Sequence, residues 1–253
     1  MSVDYSAIAQ NLSVINDRMA NAARRSGRRR EDVTLVAVSK TFPAEAIRAA
    51  HEAGVRQFGE NRVQEFESKH GELTDLDATW HLIGHLQSNK AKKAANLFQA
   101  VDSVDDLEVA RKLNKALEEN PEPGGRKRLA LLIEVRLSTE ETKSGASEED
   151  LVPIALGILA LPQLELRGLM TIPPYFEDAE KARPYFRKLR ELRESLRDQL
   201  AQKSRTLKST GASESLLSEL SMGMSHDFET AIEEGATQIR VGTALFGARP
   251  VKK

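Results

Sequence analysis

Glu219-Leu-Ser-Met-Gly-Met-Ser-His-Asp-Phe-Glu229 and, nine residues on, Gln238-Ile-Arg-Val-Gly-Thr-Ala-Leu-Phe-Gly247 decide how this chain is read. Each begins as a short apolar strand and ends in small residues that open a helix. Ser221-Met222-Gly223-Met224-Ser225 reads as the loop closing the first strand, and Gly242-Thr243-Ala244 as the loop closing the second. Small residues admit an anion close to the main chain, and a helix start presents N–H donors with a partial positive charge. Two such loops side by side form a cup for a phosphate.

The same strand-then-helix unit recurs upstream. Ile8, Leu12, Ile15 and Met19 repeat at helical spacing, so a helix and a basic turn over residues 1–30 precede it. Strands are then expected at Thr34–Lys40, Gln57–Asn61, Thr79–Gly84, Ala100–Val104, Leu129–Leu137, Leu166–Pro173, Leu220–Met224 and Gln238–Val241. Helices are expected between them at Pro43–Ala53, Val63–Leu73, Asn89–Phe98, Leu107–Glu118 and Glu148–Ala160. A long helix follows to about Lys203, with Pro184 marking its first turn or a kink, and a last one ends near Glu234. Pro121–Gly125 reads as a loop and Thr206–Glu219 as an irregular connection. Eight alternating units make a closed (β/α)8 barrel the economical fold, with one domain over 1–253. The rival, a doubly wound open sheet, lacks its Gly-rich turn after strand one, where Ser39-Lys40-Thr41-Phe42-Pro43 stands instead.

Composition narrows the function. The 253 residues carry a net charge of −1, against a dedicated nucleic-acid or membrane-surface protein. Zero cysteines exclude disulfides, thiolate zinc sites and thiol catalysis, and leave a reducing, cytoplasmic setting open. Met1–Tyr5 has no secretory pattern, and no apolar run approaches the roughly 20 residues that span a bilayer. The run Arg24-Arg25-Ser26-Gly27-Arg28-Arg29-Arg30 reads as a solvated helix end, with Gly27 as its stop.

Lys40 ends the first strand, at the barrel face where active sites lie. A lysine against apolar walls gives up its proton more readily and can form a Schiff base with an aldehyde. A ligand with an aldehyde and a phosphate would join Lys40 to the cup, and pyridoxal 5′-phosphate is such a molecule. Arg240, between Ile239 and Val241, faces away from both by strand alternation, toward the barrel mouth. Its guanidinium stays protonated, and facing a pyridine nitrogen it would keep that nitrogen without a proton. His81 and His85 are spaced four apart on a strand and turn rather than a helix, so no metal site is expected. Glu60 and Glu65 read as acid/base groups or as anchors for Asn61 or Arg62. Lys90, Lys92 and Lys93 read as a solvated face.

Seven blocks, in order, resemble the YggS/PROSC pyridoxal phosphate homeostasis family. They are Leu35–Thr41, Phe58–Asn61 with Gln64-Glu65, Trp80–Lys90, Lys143–Gly145, Arg167–Pro173, Leu220–Asp227 and Ile239–Gly247. The resemblance implies a barrel of the alanine racemase N-terminal domain type, with pyridoxal 5′-phosphate on Lys40. It implies that Ser221, Gly223, Ser225, Gly242 and Thr243 hold the phosphate and that Arg240 meets the pyridine nitrogen. Asn61, His81 and Met222 would lie around the ring. It also implies a protein that binds and buffers the cofactor; a monomer that hands it to apo-enzymes is the first functional reading. His226, the length of Thr206–Glu219 and the end Lys252-Lys253 are modest departures from or details of that pattern. An amino-acid racemase is the alternative. Racemisation needs a proton donor on each face of the ring, and only Tyr5, Tyr175 and Tyr185 are available as tyrosine bases. A class I aldolase using Lys40 alone is a third reading, with no second lysine to pair with it.

Overall fold

Parallel strands β1 (Thr34–Val38), β2 (Gln57–Glu60), β3 (Thr79–Leu82), β4 (Ala100–Val104), β5 (Leu129–Glu134), β6 (Leu164–Met170), β7 (Glu219–Met224) and β8 (Gln238–Val241) close on themselves in sequence order. The computed structural model describes residues 5–120, 128–138, 144–203 and 215–248. The expected loop 121–125, Lys143, most of the connection after Lys203 and the terminal Lys252-Lys253 lie outside them.

Helices cover the outside of the sheet. They are α1 (Ala7–Arg25), α2 (Ala44–Glu52), α3 (Val63–His70), α4 (Ala91–Leu97), α5 (Leu107–Glu119), α6 (Leu151–Leu159), α7 (Arg183–Lys203), α8 (Phe228–Glu233) and α9 (Thr243–Phe246). The expected helix from Asn89 divides into a 3-10 turn, Ser88–Lys90, and α4. Pro184 is the second residue of α7, where its missing N–H costs nothing.

Strand residues that face outward, such as Phe58, Leu82, Val101, Leu131, Met222 and Ile239, join the helices in one apolar layer. Phe66 of α3 anchors it, 4.7 Å from the Trp80 ring and 5.0 Å from Phe98. The lumen is different. Val36, Val38, Ile83, Leu132 and Met170 share it with buried His81, Asp102, Ser221, Gln238 and Arg240. Apolar side chains therefore hold the helices to the sheet, and polar ones tie opposite strands together across the barrel.

The arginine run is structural. Gly27 has φ 70° just past the end of α1, as a helix stop requires. Arg28 donates to the carbonyls of Ala236 at 2.7 Å and Asp32 at 2.9 Å, and Arg30 to that of Val33 at 2.5 Å. Arg25 pairs with Glu233 at 2.5 Å. These contacts pin the end of α1 to the turn between α8 and β8. Among the described residues no helix is long and apolar enough to cross a membrane.

Candidate functional site

Ala37 of β1 pairs with Val241 of β8, so the chain leaves these two strands side by side at the C-terminal rim. Lys40 follows on one side and Gly242-Thr243 on the other. A Cβ on Gly242 would lie 3.4 Å from both Cβ and the carbonyl oxygen of Val38, so the two exits touch. Barrel closure thus joins a lysine near one end of the chain to a small-residue loop near the other.

The loop after β7 completes the cup. Ser225 sits on the turn between Met224 and Asp227, which Asp227 caps by accepting the Met224 N–H at 2.7 Å. The Ser225 hydroxyl oxygen accepts the N–H groups of Gly242 and Ala244, each at 3.3 Å. Two main-chain donors from one loop converge on one oxygen from the other, which is the donor set an anionic oxygen requires.

β7 ends at Met224, as expected, and a register shift against β8 within it decides where Ser221, Met222 and Gly223 lie. Ser221 lies in the lumen, where its hydroxyl accepts from Arg240 at 2.7 Å and from Gln238 at 3.0 Å. Gly223 has φ 92°, and a Cβ there would meet the Ala231 Cβ at 2.6 Å and the Phe228 Cα at 2.9 Å. It is glycine so that α8 can press onto the strand. Met222 is fully buried in the apolar layer between strands and helices.

Arg240 is buried in the lumen. It donates to Ser221 and, at 2.8 Å, to the Thr171 carbonyl at the end of β6. Burial lowers its pKa; the charges of Asp102, Glu134 and Asp227 oppose that shift.

His81 lies deeper than expected. It shares with Gln57, Asp102 and Gln238 the wall of a cavity of about 700 Å³ among the strands' N-terminal ends, opposite to the rim that carries Lys40. Its Nδ1 is 3.2 Å from Asp102 and its Nε2 2.9 Å from Gln57. Burial disfavours its charged form, but the Asp102 carboxylate outweighs burial and raises the pKa. Asp102 also accepts from Gln238 at 2.5 Å, so one hydrogen-bonded chain runs from His81 through Asp102, Gln238 and Ser221 to Arg240.

Asn61 is at the rim, in a cavity of about 360 Å³ shared with Ile83, Glu134, Arg136 and Ile172. A Cβ on Gly84 would lie 2.3 Å from the Asn61 carbonyl oxygen, so only glycine lets Asn61 sit there. Glu134 was not foreseen. Burial, then the nearby Asp105 charge, pushes its carboxyl up to about 7. A Glu ending an otherwise apolar strand was its one visible signal. Glu60 and Glu65 do not anchor Asn61 or Arg62; both turn back to the segment around Lys40. Glu60 accepts from Ser39 at 2.5 Å and Glu65 accepts the Thr41 N–H.

Residues 3–250 match the family model described as alanine racemase, N-terminal domain. A protein of Aquifex aeolicus named pyridoxal phosphate homeostasis protein is 43% identical over 95% of this chain and 97% of its own length. One of the same name from Escherichia coli K12 is 41% identical over 97% and 98%. Among solved structures, PipY of Synechococcus elongatus with PLP bound aligns at 40% identity and TM-score 0.77, covering 95% of this chain and 100% of that one. Alanine racemase of Corynebacterium glutamicum shares the fold, with TM-score 0.62 at 16% identity, over 99% of this chain and 63% of its own.

Proposed function

This chain belongs to the alanine racemase N-terminal domain family and, within it, to the pyridoxal phosphate homeostasis proteins, and we infer from that membership and from its rim that it binds pyridoxal 5′-phosphate and serves homeostasis of the cofactor. The observation that supports this reading is the β1–β8 seam, where Val38, two residues before Lys40, lies against Gly242. Lys40 Nζ is the covalent attachment point. Ser225, Gly242 and Thr243 hold the phosphate, the Ser225 hydroxyl turning to donate where it now accepts. Arg240, aimed by Ser221 and Thr171, faces the pyridine nitrogen, and Asn61 flanks the ring from β2. When bound, the cofactor supplies an aldehyde and an electron-withdrawing ring, and the unprotonated nitrogen opposite Arg240 weakens that withdrawal.

That weakening suits a holder more than a catalyst. We assign the protein to the cytoplasm as a monomeric carrier that buffers the cofactor and passes it to apo-enzymes. The residues present fit the cofactor: an amine follows one strand end, converging main-chain donors follow the neighbouring one, and a buried cation lies in the lumen. The test is a visible spectrum of the purified protein with added cofactor. A yellow protein whose colour is fixed by borohydride at Lys40, and which Lys40→Ala abolishes, is the expected result. A colourless wild-type protein overturns it.

A racemase-like enzyme is the second reading, favoured by Glu134, a rim carboxyl that exchanges protons near neutral pH. Of the tyrosines, Tyr175 is exposed and rests on His226 at 5.5 Å, and Tyr185 packs on Phe176 at 5.8 Å. Exchange of the α-hydrogen of L-alanine for deuterium at a racemase-like rate would favour this reading over the carrier.

A further inference from the structure

The turn that carries Lys40 is strained and is held by charges that the cofactor site does not use. The Phe42 N–H donates to the Ser39 carbonyl at 3.1 Å, closing a four-residue turn with Lys40 and Thr41 at its centre. Thr41 stands at φ 70°. The third position of such a turn normally goes to glycine or asparagine, and a β-branched residue is strained in the left-handed region. The Thr41 hydroxyl, buried and without a hydrogen-bond partner, does not relieve it. The restraint must come from outside the turn.

It comes from α3 and β2. Lys69 donates to the carbonyls of Ser39 and Phe42, each at 3.1 Å, which are the first and last of the turn. Its remaining proton points to Glu60 Oε1 at 2.7 Å. An ammonium has three donors, and all three are used. The Ser39 hydroxyl donates to the same Glu60 oxygen at 2.5 Å, and the Thr41 N–H donates to Glu65. Lys69 is 8% exposed and Glu60 fully buried. Burial raises the Glu60 pKa even against the attraction of Lys69. A buried ion pair is a poor way to hold a helix on a strand, since apolar residues of the same volume do it as well or better. Its geometry is explained by the two carbonyls it grips.

We propose that Lys69, oriented by Glu60, is a positioning residue that clamps the strained Ser39–Phe42 turn and so presents Lys40 to the cofactor in one conformation. The proposal rests on the reading of Lys40 as the attachment point. Clamp and strain oppose each other, which gives a specific expectation. With glycine at position 41 the turn is at ease in the left-handed region and no longer needs the clamp.

The experiment uses the full chain. Lys69→Met leaves Glu60 buried and unpaired, so Glu60→Gln/Lys69→Met is made beside it. In stopped flow with pyridoxal 5′-phosphate, the double variant should colour on the order of tenfold more slowly than wild type while remaining folded by circular dichroism. Amide exchange at Thr41 and Phe42, followed without cofactor, should accelerate. Adding Thr41→Gly should restore most of the colouring rate. The chain has no cysteine, so Lys69→Cys, unfolded, alkylated with 2-bromoethylamine and refolded, regains a lysine-like ammonium there and should regain the wild-type rate. Wild-type colouring and exchange in the double variant overturn the proposal, as does a rate loss that neither Thr41→Gly nor the regained ammonium relieves. A wild-type protein that never colours overturns the Lys40 reading instead, and the exchange measurement then still judges the clamp.

Discussion

The Gly242 amide donates to the Ser225 hydroxyl at 3.3 Å, joining two loops that lie 17 residues apart in sequence. The neighbouring Ala244 amide converges on the same oxygen. Ser225→Ala removes the hydroxyl that organises these donors. It should weaken binding of pyridoxal 5′-phosphate about tenfold relative to pyridoxal, which has no phosphate, because one charge-assisted hydrogen bond is worth about 1.5 kcal/mol. Paired titrations of the two vitamers measure the ratio, and an unchanged ratio would move the anion elsewhere.

Gly223→Ala tests the packing that sequence reading took for an anion contact. Its Cβ would meet Ala231 and Phe228 at 2.6 and 2.9 Å, at a φ of 92°. Overpacking and left-handed strain together should cost about 3 kcal/mol. A lowered urea midpoint at unchanged slope is the expected signature.

Glu134 links stability to pH. Its carboxyl titrates at about 7 in the folded protein against an ordinary 4.5. Between those values the folded state holds a proton that the unfolded chain has lost, so stability falls as pH rises through this window and levels off above it. The fall is at most about 3 kcal/mol, each pH unit of difference being worth about 1.4 kcal/mol. Glu134→Gln should lack it. Urea midpoints from pH 4 to 8 compare the two proteins, and parallel profiles would show that the carboxyl titrates normally.

Arg240→Glu replaces a cation by an acceptor at a position fixed by Ser221 and Thr171. A carboxylate there would hold a proton on the pyridine nitrogen and strengthen the ring as an electron sink. Transamination of the bound cofactor by L-alanine should speed up, followed by the change of its visible spectrum. Unaltered spectra and rates would count against the placement of Arg240.

The barrel is legible in the sequence because short apolar strands alternate with amphipathic helices, punctuated by Pro43, Gly54 and Pro184. Lys40 and Gly242 are legible because rim residues follow directly from strand ends. The lumen is harder. His81 stands between Trp80 and Leu82 as an inward residue must, and Asp102 follows Val101, but period two alone does not say how deep in the barrel a residue sits. The end of β7 at Met224 was legible, but the left-handed Gly223 and the register shift inside the strand, which send Ser221 to the lumen and Met222 to the helix layer, leave no mark in one dimension. Lys69 gave no signal, since it reads as one more charge on a short helix and its carbonyl partners are 27 and 30 residues away.

The β1–β8 seam carries a consequence for the order of events in synthesis. The amine arrives within the first 40 residues to leave the ribosome, whereas the amides that would grip the phosphate emerge some 200 residues later. On the proposed site, a nascent chain could not capture the vitamin until β8 had docked against β1. Bound as proposed, the ligand would act as a rivet across the β1–β8 join, which chain connectivity does not secure.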